Sequence, residues 1–167
     1  MPVLAEEGMV KKRQASRAIV IAGFAAIAVL VGVMVMLQVS SAQNSEFKQK
    51  WDAIVFDSIS LTQEYQAEEG KWKAGQYDNS TMAGIVDKYM PRYQSLIDRA
   101  NALETPERYT EARGLLVKAI QTEKDSNEHF REYLLTGNKA EYDKALDLFS
   151  LSLKYSAEAD AAIKEAG

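Results

Sequence analysis

The pattern of apolar and polar positions separates one long apolar run from a series of amphipathic stretches. Residues 18–37, AIVIAGFAAIAVLVGVMVML, contain no charged and no strongly polar side chain. A helix of this length extends about 30 Å, which matches the hydrocarbon thickness of a bilayer. The run therefore predicts a single N-terminal transmembrane helix.

From residue 38 onward, apolar side chains recur at steps of three and four in four separate stretches. This spacing puts them on one face of a helix, and no stretch shows the period of two that is typical of a strand. Four amphipathic helices of about 25 residues, joined by short connections, are typical of a helix bundle. We therefore expect an all-α fold in which residues 38–167 form an up-down-up-down four-helix bundle.

Glycine and proline predict the ends of the first two helices. The first helix should end near Glu69, because Gly70 follows, and residues 71–79 should form a loop. The second helix should start near Ser80. It should bend close to Pro91, which lacks the N–H that an interior helix position donates, and resume on the same face.

The two later helices carry clear start signals. Thr105 followed by Pro106 is the pattern of an N-cap and a first helical residue, so the third helix should begin there. Gly137 should end that helix. Asn138 should cap the fourth helix, with Glu141 three residues later completing a capping box.

Charge predicts the orientation of the chain in the membrane. The tail, residues 1–17, contains a basic cluster immediately before the apolar run, whereas the first basic residue after the run is Lys48. The positive-inside rule then puts the tail in the cytoplasm and residues 38–167 outside it. The alternative is a signal peptide cleaved near Ala42, although signal peptides usually have an apolar region of only about 7–15 residues.

The balance of charge and the small residues of the apolar run bear on the partners. Residues 38–167 carry six more acidic than basic side chains. Nucleic acid is therefore not an expected partner, since phosphate binding needs a surplus of Lys and Arg on one face.

Ala18, Ala22 and Ala26 recur every four residues, a spacing that lets two membrane helices approach closely, so the sequence also suggests a homo-oligomer formed through this helix.

The residues that usually carry chemistry are scarce. The chain has no cysteine, and its one histidine, His129, shares a helix face with Asp125. One histidine without cysteine makes a poor metal site, and no catalytic triad, di-iron motif or phosphate-binding glycine loop is present. The sequence favours a protein that is not an enzyme and holds no cofactor or metal. Asn79, in an Asn-Ser-Thr triplet, fits the N-glycosylation pattern.

Aromatic residues supply the candidate binding positions. Trp72 lies in the predicted loop, where helical packing does not account for it, and Lys71 and Lys73 flank it. An exposed aromatic residue beside cations is typical of binding surfaces, so these three residues are candidate contacts for a partner. Three further aromatic residues lie on predicted helix faces and are candidates to line a pocket inside the bundle: Trp51, Tyr89 and Tyr93.

Together these features predict a membrane-anchored helical binding or scaffold protein in the cell membrane. It would serve as an accessory subunit of a membrane or envelope complex, with its bundle outside the cytoplasm. One alternative is a ligand-sensing bundle, which resembles the outer domain of bacterial chemoreceptors in architecture and would act through a membrane partner. The other alternative is a secreted helical protein, released by cleavage near Ala42.

Overall fold

The structure is a computed structural model that describes residues 46–167. The predictions for the basic tail, residues 1–17, for the apolar run, residues 18–37, and for the link that follows them lie outside the described residues. Within the described part, no helix is both long enough and apolar enough to cross a membrane.

Four α-helices account for most of residues 46–167, and no strand occurs among these residues. The prediction of an all-α, four-helix fold is confirmed for this part of the chain. The helices contain 23 to 28 residues, close to the predicted length. They are α1 (Glu46–Lys73), α2 (Asn79–Asn101), α3 (Thr110–Thr136) and α4 (Lys139–Glu165), and a 3₁₀ turn, Glu107–Tyr109, precedes α3.

Consecutive helices run antiparallel, as their contacts show. Asp57 of α1 pairs with Arg99, near the end of α2. Trp72, at the end of α1, contacts Asn79, at the start of α2. The other two helix pairs show the same reversed order, through the contacts Asp87–Arg131 and Asn101–Arg113 between α2 and α3, and Ser126–Ala145 and Lys118–Tyr155 between α3 and α4.

Small side chains let α3 and α4 pack more closely than any other pair of helices. They are buried and recur every seven residues, a spacing that keeps them on one face of each helix. The close approach is direct at Ser126, whose hydroxyl donates a hydrogen bond of 2.7 Å to the backbone carbonyl of Ala145. The two rows are Ala112, Ala119 and Ser126 on α3, and Ala145, Ser152 and Ala159 on α4.

Two clusters of buried apolar side chains fill the bundle, and all four helices contribute to each. The first core cluster contains Tyr109 and Leu116, and the ring of Tyr109 stacks on Phe47 with 4.7 Å between the ring centroids. The second core cluster contains Met82 and Phe130. Amphipathic helices thus bury their apolar faces as the sequence pattern predicts.

Helix α1 is longer than predicted, because Gly70 does not end it. The helix continues to Lys73, and Gly75, with a φ of 76°, adopts the left-handed conformation just beyond its end. The prediction of a loop over residues 71–79 is therefore wrong for its first three residues, which belong to α1, and for its last, Asn79, which begins α2. A glycine inside a helix costs about 1 kcal/mol relative to alanine, and the packing of Trp72 against the second core cluster offsets this cost.

Helix α2 starts one residue before the predicted position and continues through its proline. The Asp78 carboxylate caps it by accepting a hydrogen bond of 2.7 Å from the N–H of Thr81. Val86 and Tyr93, seven residues apart on either side of Pro91, are both buried, so resumption on the same face is confirmed. Pro91 is exposed, which lets solvent hydrate the carbonyl that lacks a helical donor. The bend itself stays a prediction.

The predicted start of the third helix is wrong. The hydroxyl of Thr105 donates to the carbonyl of Leu103 at 2.7 Å instead of capping a helix, and Pro106 leads into the 3₁₀ turn. Helix α3 begins only at Thr110, with no side-chain cap. The reason is tertiary, because the turn carries Tyr109, which is fully buried in the first core cluster.

The junction between α3 and α4 follows the local sequence signals except in one respect. Gly137 has a φ of 70° and ends α3, and the Asn138 side chain accepts a hydrogen bond of 3.1 Å from the first turn of α4. Both predictions are confirmed. The capping box does not form, because the carboxylate of Glu141 contacts His129 while the N–H of Asn138 donates to the hydroxyl of Thr136.

Candidate functional site

A carboxyl group is buried between the two core clusters. Glu123 of α3 lies between Ile120 of the first core cluster and Phe130 of the second. Its Oε1 atom accepts hydrogen bonds from the hydroxyl of Thr62 on α1, at 2.7 Å, and from the hydroxyl of Tyr93 on α2, at 2.9 Å. One carboxyl oxygen therefore connects three helices.

The environment changes how readily Glu123 ionises. Burial raises its pKa to about 7, because the carboxylate loses its hydration inside the bundle. The hydrogen bonds from the Thr62 and Tyr93 hydroxyls lower the pKa, but by less than burial raises it. Burial and the nearby carboxylate also raise the pKa of the Tyr65 and Tyr93 hydroxyls. The carboxyl group is therefore about half-protonated near neutral pH, unlike an exposed glutamate.

Two polar groups beside this carboxyl are buried and have no hydrogen-bond partner among the described residues. They are the hydroxyl of Tyr65 and the amide nitrogen Nδ2 of Asn127. Asn127 follows Glu123 by one helical turn and shares its face. Buried polar groups without partners are costly and often mark a functional site or an internal water. We name Thr62, Tyr65, Tyr93, Glu123 and Asn127 the Glu123 cluster.

Glu123 and Asn127 lie on the apolar stripe of α3, and the sequence motifs assign them no role. A usable signal existed, because two strongly polar residues interrupt an apolar stripe between Ile120 and Phe130. Burying such groups is costly unless partners satisfy them. The hydrogen-bond partners could not be predicted, since the donors are 61 and 30 residues away in the sequence.

The three residues predicted to line a pocket pack into the core. Trp51 and Tyr93 are buried members of the first core cluster. Tyr89 packs against both core clusters, with its ring edge on Tyr65 at a centroid distance of 5.3 Å. Tyr89 and Tyr93 lie one helical turn apart on α2, close to Tyr65 and Thr62 of α1. Trp51, in contrast, lies near Phe47, about 15 Å or more from Thr62 along α1. A pocket among the three residues stays a prediction.

The residues predicted to contact a partner lie in the last turn of α1. The prediction of a loop at Trp72 is wrong. Its indole N–H donates to the Oδ1 atom of Asn79 at 2.9 Å, and its ring edge meets Phe130 at a centroid distance of 5.2 Å. Lys71 and Lys73 each pair with an acidic residue of α1. These contacts favour a role in covering the end of the bundle, and partner binding by the three residues stays a prediction.

Asn79, the candidate glycosylation site, is the first residue of α2 and is exposed. Its Oδ1 atom accepts the hydrogen bond from Trp72, whereas a glycan would be attached to its Nδ2 atom. The position is accessible to solvent, and glycosylation stays a prediction.

His129 does not pair with Asp125. Its Nδ1 atom lies 2.6 Å from a carboxylate oxygen of Glu141 on α4, and Asp125 accepts a hydrogen bond from Gln121. Within residues 46–167, no three His, Asp or Glu side chains lie together as ligands of a metal ion would. The histidine therefore joins α3 to the first turn of α4.

An open groove of about 420 Å³ lies between α1 and α2. Two ion pairs between these helices line it, Glu64 with Arg92 and Asp57 with Arg99, both at 2.7 Å. None of the three aromatic residues predicted for a pocket lines this groove. Its remaining lining residues are Ser60, Leu61, Pro91, Ser95 and Leu96.

Helix α4 leaves large apolar side chains outside the core, because its buried positions hold only alanine and serine. Leu146, Phe149 and Leu153 follow at steps of three and four, which places them on one side of the helix. Leu146 is 44% exposed, the other two are half-buried, and neither core cluster includes any of the three. We name these three residues the α4 strip.

No family model, no curated protein and no solved structure matches this chain. Its function therefore has to be inferred from its own residues and their geometry.

Proposed function

We propose that the chain is a single-pass membrane protein that binds a protein partner outside the cytoplasm, as a scaffold or accessory subunit without catalytic activity. Residues 18–37 would form the anchor, and the basic tail before them would stay in the cytoplasm. The helical bundle would then lie at the outer surface of the membrane. The charge distribution and the length of the apolar run support this orientation.

The observation that carries the binding role is the α4 strip. Its three apolar side chains are spaced like those that anchor a docked amphipathic helix. Neither core cluster of residues 46–167 contains them, so they are available for contact with a partner. Phe56 on α1, which is 62% exposed, adds a second apolar contact point. Because residues 38–167 are acidic, we expect the partner to present an amphipathic helix with basic residues beside its apolar face.

Membrane extraction, N-terminal sequencing and co-purification of the full-length protein test this proposal. The protein should stay in the membrane pellet after alkaline extraction, and N-terminal sequencing should find residues that precede Ala18. Purified in mild detergent, it should retain a protein partner. Replacing both Leu146 and Leu153 by serine should weaken partner binding at least about tenfold, because two apolar contacts are lost.

Leu135→Ser is the matched control, since Leu135 is 52% exposed on α3 and lies outside the α4 strip. Circular dichroism verifies that each variant is folded. A mature chain that begins at Gln43 would show a secreted protein instead. An unchanged partner after substitution of Leu146 and Leu153 would contradict the role of the α4 strip. Trp72→Ala in the same assay tests the predicted contact at the end of α1.

The groove between α1 and α2 favours a second candidate function, the binding of a small ligand. Arg92 and Arg99 offer planar cations that match carboxylates, while Glu64 and Asp57 offer anions. The carboxylate of a zwitterionic ligand would pair with the arginines, and its cation would pair with the acidic side chains. These pairs would replace the ion pairs between the two helices. Ligand binding would then change how α1 and α2 are held together, as a sensing function requires.

A thermal-shift screen of zwitterionic and dicarboxylic compounds tests this second function. A compound that binds the folded state should raise the melting temperature of the full-length protein in detergent. Ser95→Trp should abolish the shift by filling the groove, whereas Ser150→Trp, at an exposed position of α4, should preserve it. A shift that survives Ser95→Trp, or none with any compound, would contradict ligand binding in the groove.

A further inference from the structure

We propose that the Glu123 cluster is a proton-dependent connection between α1, α2 and α3, in which the bundle is more stable when Glu123 is protonated and less stable when Glu123 ionises, because the carboxylate is buried. This role is independent of the anchor and of the partner proposed above. It follows from the position of the carboxyl group, from the groups that face it, and from the way α1 packs.

The carboxyl group of Glu123 connects α3 to two other helices. The hydroxyl of Tyr93 on α2 donates to Oε1 of Glu123 on α3. The hydroxyl of Thr62 on α1 lies 2.7 Å from the same oxygen and 3.0 Å from the carbonyl of Ser58, so its one proton is shared between these two acceptors. Helix α1 packs mainly on α2, less closely than α2 packs on α3, and it hardly approaches the backbones of α3 and α4. The hydrogen bond from Thr62 is therefore a direct polar contact between α1 and the far side of the bundle.

The groups around the carboxyl group of Glu123 are polar but uncharged. Facing it are the hydroxyl of Thr62 from α1 and the hydroxyl of Tyr93 from α2, with the hydroxyl of Tyr65 nearby on α1 and the amide of Asn127 on α3 close to Tyr93. Helix α4 buries only alanine and serine. None of these groups is a cation. Glu69 of α1, which acts on Tyr65, is itself acidic.

Protonation of Glu123 stabilises the folded state. The pKa of Glu123 is raised from 4.5 to about 7 in the folded protein, so the folded state binds the proton more tightly than the unfolded state. The stability that the protonated group contributes is fully present below pH 4.5 and is lost as pH rises to 7. Between pH 4.5 and 8, the unfolding equilibrium constant should increase by about 150-fold, which corresponds to about 3 kcal/mol.

The chain contains suitable reporters for α1. Its only two tryptophans, Trp51 and Trp72, are both in this helix, and Trp51 is buried in the first core cluster. Tryptophan fluorescence therefore follows the docking of α1, while circular dichroism follows all four helices. Urea unfolding of the full-length protein in mild detergent, repeated between pH 4.5 and 8, measures both signals.

We expect the wild type to lose stability as pH rises to 7, with the fluorescence transition moving to lower urea. Glu123→Gln keeps the shape and cannot ionise, so it should lose most of this pH dependence and be more stable than the wild type at pH 8. Asp52→Asn is the matched control, because partial burial also raises the pKa of this carboxyl on α1. That variant should keep most of the wild-type pH dependence.

A second variant guards against misfolding of Glu123→Gln. Tyr93→Phe removes one donor that stabilises the carboxylate, so the pH at which stability levels off should move upward. The proposal is overturned if Glu123→Gln retains the wild-type pH dependence, if Asp52→Asn removes it, or if the wild type shows none. It is also overturned if Tyr93→Phe moves the levelling point downward or leaves it unchanged.

Discussion

Leu116→Ala should lower the free energy of unfolding of the bundle by about 2–5 kcal/mol. Leu116 is 5% exposed in the first core cluster, to which all four helices contribute. The substitution removes apolar contacts and leaves a cavity, and helices that are held on several sides cannot close it fully. Urea denaturation of the full-length protein in mild detergent, followed by circular dichroism, measures the change.

Leu135→Ala is the matched control for this prediction. Leu135 is on the same helix and is 52% exposed, so its truncation should change stability by no more than about 0.5 kcal/mol. Equal effects of the two substitutions would show that Leu116 does not belong to the core.

Ser152→Leu should destabilise the bundle by about 3 kcal/mol, through overpacking. Ser152 is 2% exposed and belongs to the row of small residues at which α4 approaches α3 most closely. A leucine side chain at this point would force the two helices apart and disturb the packing on both sides. Thermal unfolding followed by circular dichroism should show a melting temperature lowered by about 10 °C or more.

Ser150→Leu tests whether the position or the residue type matters. Ser150 is two residues away on the same helix and is exposed, so leucine there meets no neighbouring helix. Its melting temperature should stay close to that of the wild type. If Ser152→Leu were tolerated equally well, the close packing of α3 and α4 through small residues would be wrong.

Signals that depend on neighbouring residues predicted the fold well. Gly137 and Asn138 end one helix and start the next as expected, because a left-handed glycine and an Asx cap satisfy backbone groups within a few residues. Where tertiary contacts compete, the same kind of signal failed. Gly70 did not stop α1, and Thr105 did not cap α3, because the packing of Trp72 and Tyr109 decides the backbone there.

The candidate site was much harder to predict than the fold. The sequence predicted Trp72 to be a loop residue that contacts a partner. In the structure α1 extends far enough for Trp72 to pack against Phe130. The sequence shows Glu123 as a polar residue on an apolar stripe, but it does not predict which residues form hydrogen bonds with it. A buried carboxyl group acquires its properties from groups that are close in space, and Thr62 is 61 residues away along the chain.

The sequence by itself determined the number of helices, their apolar faces and the position of a long apolar run before them, because helical periodicity is a property of each stretch alone. Only the tertiary structure decided that α3 and α4 pack closest, that the α4 strip stays outside the core, and that a carboxyl group joins three helices. These outcomes depend on which side chains meet across the bundle. Contacts between distant residues contribute several kcal/mol, whereas local propensities contribute about 1 kcal/mol or less per residue.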